Sequence, residues 1–292
     1  MFAVMQTDRC RGFVCFALAV ACLAPVRSEA QAPAASNPYR TVNLNYVYAA
    51  DLGFGGYSLS GLTADVYTLP LSYTLHDLPA HDWNLRLLVP VQAGIYSFHG
   101  TDVGGEHLQL AQQSVSVVPG VELEIPAGSR SVVKPFAQFG VARVLGDQVG
   151  NAYSWIYLAG ARALTQWHDG ATTLSLGNAV VFAGDNSVGP GGGERYVSLQ
   201  LGGEVRHPLG FSIGNVSPDI GIYVADYYYP APLTFSRFLH PPLNVSNQAE
   251  IGFSVGLAKP YDLLGWSNPR IGAGFVFGGG LDVWHVNFGF QF

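Results

Sequence analysis

The last twelve residues of the chain, Leu281 to Phe292, read LDVWHVNFGFQF. Trp284, Val286, Phe288, Phe290 and Phe292 fall on every second position, and His285, Asn287, Gly289 and Gln291 stand between them. A β-strand turns successive side chains to opposite faces, so this stretch carries one aromatic, apolar face and one polar or small face. In a water-soluble sandwich the apolar face would be core, and a chain rarely finishes on it.

The same period of two recurs along the chain. Val42, Leu44, Tyr46 and Tyr48 alternate with polar or small residues and predict a first strand. Leu69, Leu71, Tyr73 and Leu75 mark a second, and Leu85, Leu87, Val89, Val91, Ala93 and Ile95 a third. Val115 and Val117, then Val121, Leu123 and Ile125, mark a fourth, with a bulge at Pro119 because proline cannot donate to a ladder. Less regular segments, Val132 to Leu145 and Ala152 to Trp167, are the fifth and sixth, and Thr172 to Phe182 is the seventh. Val197, Leu199, Leu201 and Val205 share one face of an eighth. A ninth ends near Tyr223 to Asp226, and Ile251, Phe253, Val255 and Leu257 define the tenth. Ile271 to Phe277 and the terminal stretch complete twelve strands. Connections after even-numbered strands are mostly short, whereas Tyr227 to Asn247 reads as the longest loop of the opposite end.

Met1 to Ala30 has the form of an export signal: Arg9 and Arg11, the apolar run Phe13 to Ala24, and the small-residue site Ser28-Glu29-Ala30. The apolar run is shorter than the roughly twenty residues of a membrane helix. Cys10, Cys15 and Cys22 all lie inside this segment, so cysteine chemistry and disulfides are excluded from the mature chain. Residues 31–39 form a short lead-in and 40–292 one domain.

Charged residues make up 12% of the chain, against about a quarter in soluble domains. Glycine is abundant at 36 residues and aromatics reach 13%. An apolar, exported chain without a membrane helix must satisfy its backbone in a closed barrel if it is to meet lipid. The formal charge is −6, which excludes the basic footprint of a nucleic-acid binder.

The terminal aromatic strand ending in Phe resembles the last strand of bacterial outer-membrane β-barrels. That resemblance implies that Trp284, Phe288, Phe290 and Phe292 form a signal for the barrel-assembly machinery. The twelve-strand pattern over residues 40–292 is also similar to the autotransporter translocator barrel, although no passenger or linker helix fits between Gln31 and Tyr39. The expected fold is therefore all-β: a transmembrane, antiparallel, up-and-down barrel of about twelve strands. The expected setting is the outer membrane of a Gram-negative bacterium, with outer-membrane lipids as partners.

Arg86, Glu122, Glu124, Glu204, Arg206 and Glu250 fall opposite the apolar positions, which places them inside such a barrel. Charges in a narrow interior must pair or meet water. Either they line a narrow pore for small solutes, or they lock into a network that plugs it. A surface-interaction role through Tyr227 to Asn247 is the alternative, and a lipid or peptide hydrolase the remote one.

Catalytic motifs are absent. No histidine is followed by serine two residues on, as in outer-membrane phospholipases. The pairs His81-Asp82 and His168-Asp169 fall in turns, where Asp is a usual turn former. His99, Asp102, Glu106 and His107 read as a solvated loop rather than a metal site. Gly189 to Gly193 lacks the Lys-Ser/Thr of a phosphate loop. The sequence thus predicts no enzyme, no metal and no cofactor.

Overall fold

The computed structural model describes residues 55–292, excepting 60–61, 76–82, 102–106, 147–149, 189–192, 213–216, 238–239, 258–261, 264–265, 268–269 and 288–291. The expected signal, the lead-in and the strand at Val42 to Ala49 lie outside the described residues, as do Asp102 and Glu106.

Every regular element among the described residues is a strand. In order these are β1 (Gly55–Leu59), β2 (Leu62–Leu75), β3 (Asn84–Thr101), β4 (His107–Val117) and β5 (Gly120–Pro126). There follow β6 (Ser131–Gly146), β7 (Gly150–Asp169), β8 (Thr172–Val188), β9 (Arg195–Pro208) and β10 (Pro218–Arg237). The last are β11 (His240–Leu257), the two-residue strands β12 (Asp262–Leu263) and β13 (Trp266–Ser267), β14 (Ile271–Gly278) and β15 (Leu281–Asn287).

Each wall strand is antiparallel to its neighbours, and β1 pairs with both β2 and β15, which closes the sheet into a barrel. β4 and β5 share one place in the wall, because both pair with β3 and with β6. Counted so, and with the small β12–β13 hairpin set aside, the described residues form twelve wall strands.

The expected bulge at Pro119 is a different feature. Val91 pairs with Val117 and Leu88 with Gly120, so equal numbers of residues separate the two pairs on each strand. No residue is inserted; the ladder is broken where proline has no amide to offer. Val118 donates to the Pro90 oxygen at 3.2 Å, and Phe139 donates to the Pro119 oxygen at 2.8 Å. Facing the break on β6 is Gly140, where a Cβ would run into the Val117 carbonyl and the Val118 backbone.

Alternation sets the two faces. Leu69, Leu71 and Tyr73 on β2, Leu201 and Val205 on β9, and Ile251 and Phe253 on β11 point outward and are exposed. Trp284 on β15 is 66% exposed. Inward stand Ser116, Glu122, Ser198, Glu204, Glu250 and Ser254, all buried. This is the inverse of a water-soluble β-protein. Apolar residues also face inward in one region, where Ile156, Leu158, Val181 and Ala183 are buried.

The rim is uneven. β10 and β11 run for 20 and 18 residues, whereas β14 and β15 have 8 and 7. The long loop expected at Tyr227 to Asn247 is therefore mostly strand. β10 pairs with β9 only up to Tyr228, and β11 pairs with β14 only from Ala249 onward. Beyond those points the two strands pair with each other alone and form an arm. Its register steps from Tyr228↔Asn247 to Leu233↔Val245, which puts the extra residues on β10. Pro230, Pro232, Pro241 and Pro242 lie in this arm, where a missing amide costs the main sheet nothing.

The arm leans over the short β14–β15 turn, whose three glycines Gly278, Gly279 and Gly280 all have positive φ. Val245 lies beside Gly279 and Leu243 beside Gly280. Leu233, Val245, Val276, Leu281 and Val283 are buried here and belong to the apolar cluster of the barrel.

The Gly140 contact generates a prediction. Gly140→Ala should lower barrel stability by about 1–3 kcal/mol, the usual cost of overpacking. Gly203→Ala, whose Cβ would meet only the Ser175 oxygen at 3.8 Å, is the control and should be close to neutral. Unfolding temperature read from the heat-modifiable gel band of the folded protein distinguishes the two.

Candidate functional site in the barrel interior

Adjacent strands lie about 4.8 Å apart, so a long side chain on the concave face can reach the strand two places away. It does so only if the strand between presents little bulk.

Three such bridges organise the β9–β15 side. Arg270, just ahead of β14, donates from Nη1 to Asp219 Oδ1 on β10 at 2.7 Å and from Nη2 to Ser254 Oγ at 2.9 Å. It lies over Gly256 of the intervening β11. Ser254 in turn donates to Glu204 Oε1 on β9 at 3.0 Å, across Gly221 of β10. Arg206 adds an ion pair to Glu204 at 3.4 Å. His285 on β15 donates from Nε2 to Glu250 Oε1 on β11 at 2.7 Å, across Gly274 of β14.

Glu250 is the most heavily coordinated group of this side. Besides His285, Tyr223 donates to Oε1 at 2.6 Å and Tyr227 donates to Oε2. Tyr229 donates to Gln248 Oε1 at 3.2 Å one step further along. The Glu250 and His285 side chains are 0% and 1% exposed. His285 Nδ1 is buried without a hydrogen-bond partner.

The opposite side carries a second cluster. Arg86 on β3 and Arg162 on β7 donate to the two oxygens of Glu122 on β5, at 3.0 and 2.9 Å. Arg86 also reaches Ser72 Oγ at 3.1 Å and lies 3.6 Å from Glu124. Lys134 on β6 is 3.9 Å from Glu124. The Arg162 guanidinium sits 4.1 Å over the Phe136 ring, a cation–π contact.

The fold was compared with known proteins. No family profile and no curated protein sequence matches the chain. Solved structures do. The translocator domain of the autotransporter NalP from Neisseria meningitidis superposes with a TM-score of 0.58 at 10% identity, over 82% of this chain and 85% of that one. The transport unit of the autotransporter AIDA-I from Escherichia coli gives 0.55 at 13% identity, over 81% and 88%. The fold is an autotransporter-like β-barrel. At such identities the likeness concerns architecture, and the residues of the interior are this chain's own.

The structure places Arg86, Glu122, Glu124, Glu204, Arg206 and Glu250 on the inner face of the autotransporter-like barrel and divides them between the two clusters. Glu122, Glu204 and Glu250 are buried, not exposed along an open lining. Sequence reasoning missed Lys134, Arg162, Asp219, Arg270, Tyr223 and Tyr227. His285 had a legible signal, since it stands on the polar face opposite Trp284.

One expectation about the terminal aromatic face is corrected. Trp284 points outward, but Phe292 is buried inside the barrel. Phe288 and Phe290 lie outside the described residues. Among the described residues the β14–β15 ladder ends at the Gly272↔Asn287 pair.

At the rim, Glu194 precedes β9 in the connection from β8. Its amide donates to Asp185 Oδ1 at 2.9 Å, and its carbonyl accepts from the Asp185 amide at 2.8 Å. Burial first, and then the neighbouring Asp185 carboxylate, push the Glu194 carboxyl from the ordinary 4.5 up to about 7. The folded state therefore holds this proton more tightly than the unfolded state does. Stability falls as pH rises between 4.5 and about 7, and the loss is complete above that window. Amide exchange at Asp185, corrected for intrinsic rates, should quicken across this window in the wild type and stay flat in Glu194→Gln.

A second prediction concerns Glu250. Glu250→Ala leaves Tyr223, Tyr227 and His285 Nε2 without their acceptor and should cost about 3–5 kcal/mol. Glu250→Gln keeps an acceptor oxygen and should cost about 1–3 kcal/mol. Equal losses in the two variants, measured by thermal unfolding in detergent, would show that the missing acceptor is not the main cause of the destabilisation.

Proposed function

We propose that this chain is an outer-membrane β-barrel of a Gram-negative bacterium, exported by a cleaved N-terminal signal and inserted by the barrel-assembly machinery. Its interior is closed at rest by its own side chains, and it acts without catalysis. The observation that carries this reading is the burial of inward-facing acids in a twelve-strand barrel: Glu122 is 3% exposed, Glu204 4% and Glu250 2%. In a wide aqueous pore such groups would be wetted. Here each is met by donors from other strands, and apolar residues beneath the β10–β11 arm are buried as well.

The outward belt supports the membrane setting, because apolar exposure on every side of a closed sheet suits hydrocarbon and not water. Spanning hydrocarbon takes about nine to eleven residues of a tilted strand. β10 and β11 are far longer, so their paired ends project beyond the layer on the outer side. The long β11-to-β14 connection then belongs to the periplasmic side.

A narrow pore for small solutes is the second reading. It is favoured by the partial exposure of interior arginines in both clusters, since the side chains of Arg86, Arg162 and Arg206 remain 20–24% exposed. The groups seen on Glu250 among the described residues, two tyrosine hydroxyls and the His285 ring in a dry setting, lend a hydrolase no support.

Planar-bilayer conductance of the refolded chain tests the proposal. The wild type should insert and show no steady conductance, whereas Arg86→Ala combined with Arg162→Ala should open measurable current. Steady, ion-selective conductance of the wild type that shifts on Glu122→Gln would overturn the closed reading in favour of the pore.

A further inference from the structure

Phe292 occupies a built position on the basic side of the interior. Its side chain packs against Gly177 of β8, where any Cβ would overlap the Phe292 Cβ, Cγ and Cδ2 atoms. Lys134 Nζ donates to its main-chain oxygen at 3.4 Å. The residue is 5% exposed.

The charges around it are unequal. Arg86 and Arg162 share the two oxygens of Glu122, while Lys134 meets Glu124 only at 3.9 Å. Three basic side chains thus face the two carboxylates of Glu122 and Glu124. The site thus combines an aromatic seat opened by the bare backbone of Gly177 with a Lys134 amino group placed for an oxygen acceptor at the end of a short linker.

We propose that this is a binding site for small aromatic monocarboxylates, with Phe292 as its resident occupant. The part of Phe292 that is held (ring, Cβ, Cα and the carbonyl carbon with its oxygen) is the skeleton of 3-phenylpropionate. A free arylalkanoate presents the same ring and oxygen at the same spacing, and its charge forms a charge-assisted hydrogen bond with Lys134. Entry of the ligand displaces the Phe292 ring from Gly177. The inference goes beyond the closed-barrel reading and does not depend on it.

The test uses the refolded full chain carrying 4-fluorophenylalanine at position 292, followed by fluorine NMR in detergent micelles. The ring resonance should start at a buried shift and move saturably to the solvent-exposed shift as 3-phenylpropionate is added. The uncharged 3-phenylpropanol should need about tenfold more, the discrimination expected of one charge-assisted hydrogen bond. Lys134→Met should abolish that difference, and Gly177→Ala should release the ring without ligand. Equal displacement by the acid and the alcohol in the wild type overturns the proposal, as does a resonance that no ligand moves or that is solvent-exposed from the start. These wild-type outcomes stand even if a variant fails to fold. A conducting barrel would defeat the closed reading while leaving this titration interpretable.

Discussion

A carboxylate on the concave face of a closed sheet has few routes to stability. Left dry and unpaired it is too costly to retain, so donors must come to it. In this barrel many of those donors arrive from two strands away, over a strand that offers no side chain. Gly221 under the Ser254–Glu204 bond, Gly256 under Arg270 and Gly274 under the Glu250–His285 bond are the same solution repeated. The abundance of glycine therefore has a structural meaning beyond turns. It sets where long polar side chains can lie flat against the wall, and so where the interior fills.

The same relation between a bare backbone and a bulky neighbour appears elsewhere. Phe292 rests on Gly177, the Tyr157 ring crosses Gly184, and the broken ladder at Val118–Pro119 presses on Gly140. Polar bridges, an aromatic seat and a backbone irregularity thus depend on one kind of vacancy. Substitutions at these glycines act on different features for a common steric reason.

Much of the architecture was legible because one apolar face per strand produces a period of two. On β2, β9 and β11 that signal is clean, and it located Glu204 and Glu250 on the inner face before any pairing was known. Their partners were not legible. Which residue two strands away meets Glu250 depends on register and barrel curvature, and neither is written in a local window. Lys134 and Arg162 lie on β6 and β7, whose alternation is blurred because inward positions there include apolar residues such as Phe136 and Leu158. The prolines of the β10–β11 arm mimic loop chemistry, since in an ordinary sheet they would break a ladder. Standing clear of the wall, the arm has only the β10–β11 ladder, and these prolines fall outside its paired residues. β1, with Gly55, Gly56 and Ser58, offers almost no alternating signal, and its pairing with β2 and β15 is what identifies it.

That pairing has a kinetic meaning. Almost every other junction in the wall joins strands close in sequence, and each can zip as a hairpin soon after its turn forms. The β1–β15 seam joins the two ends of the sheet, so it bears the largest loop-closure entropy of the ring. It meets that cost with one of the shortest ladders, since β1 contributes only the five residues Gly55–Leu59. Loop-closure entropy thus favours forming an open, curled sheet first and closing the ring last. By the same reasoning the closed wall parts with the least loss of pairing on either side of β1, which pairs over five residues with β15 and over five with β2.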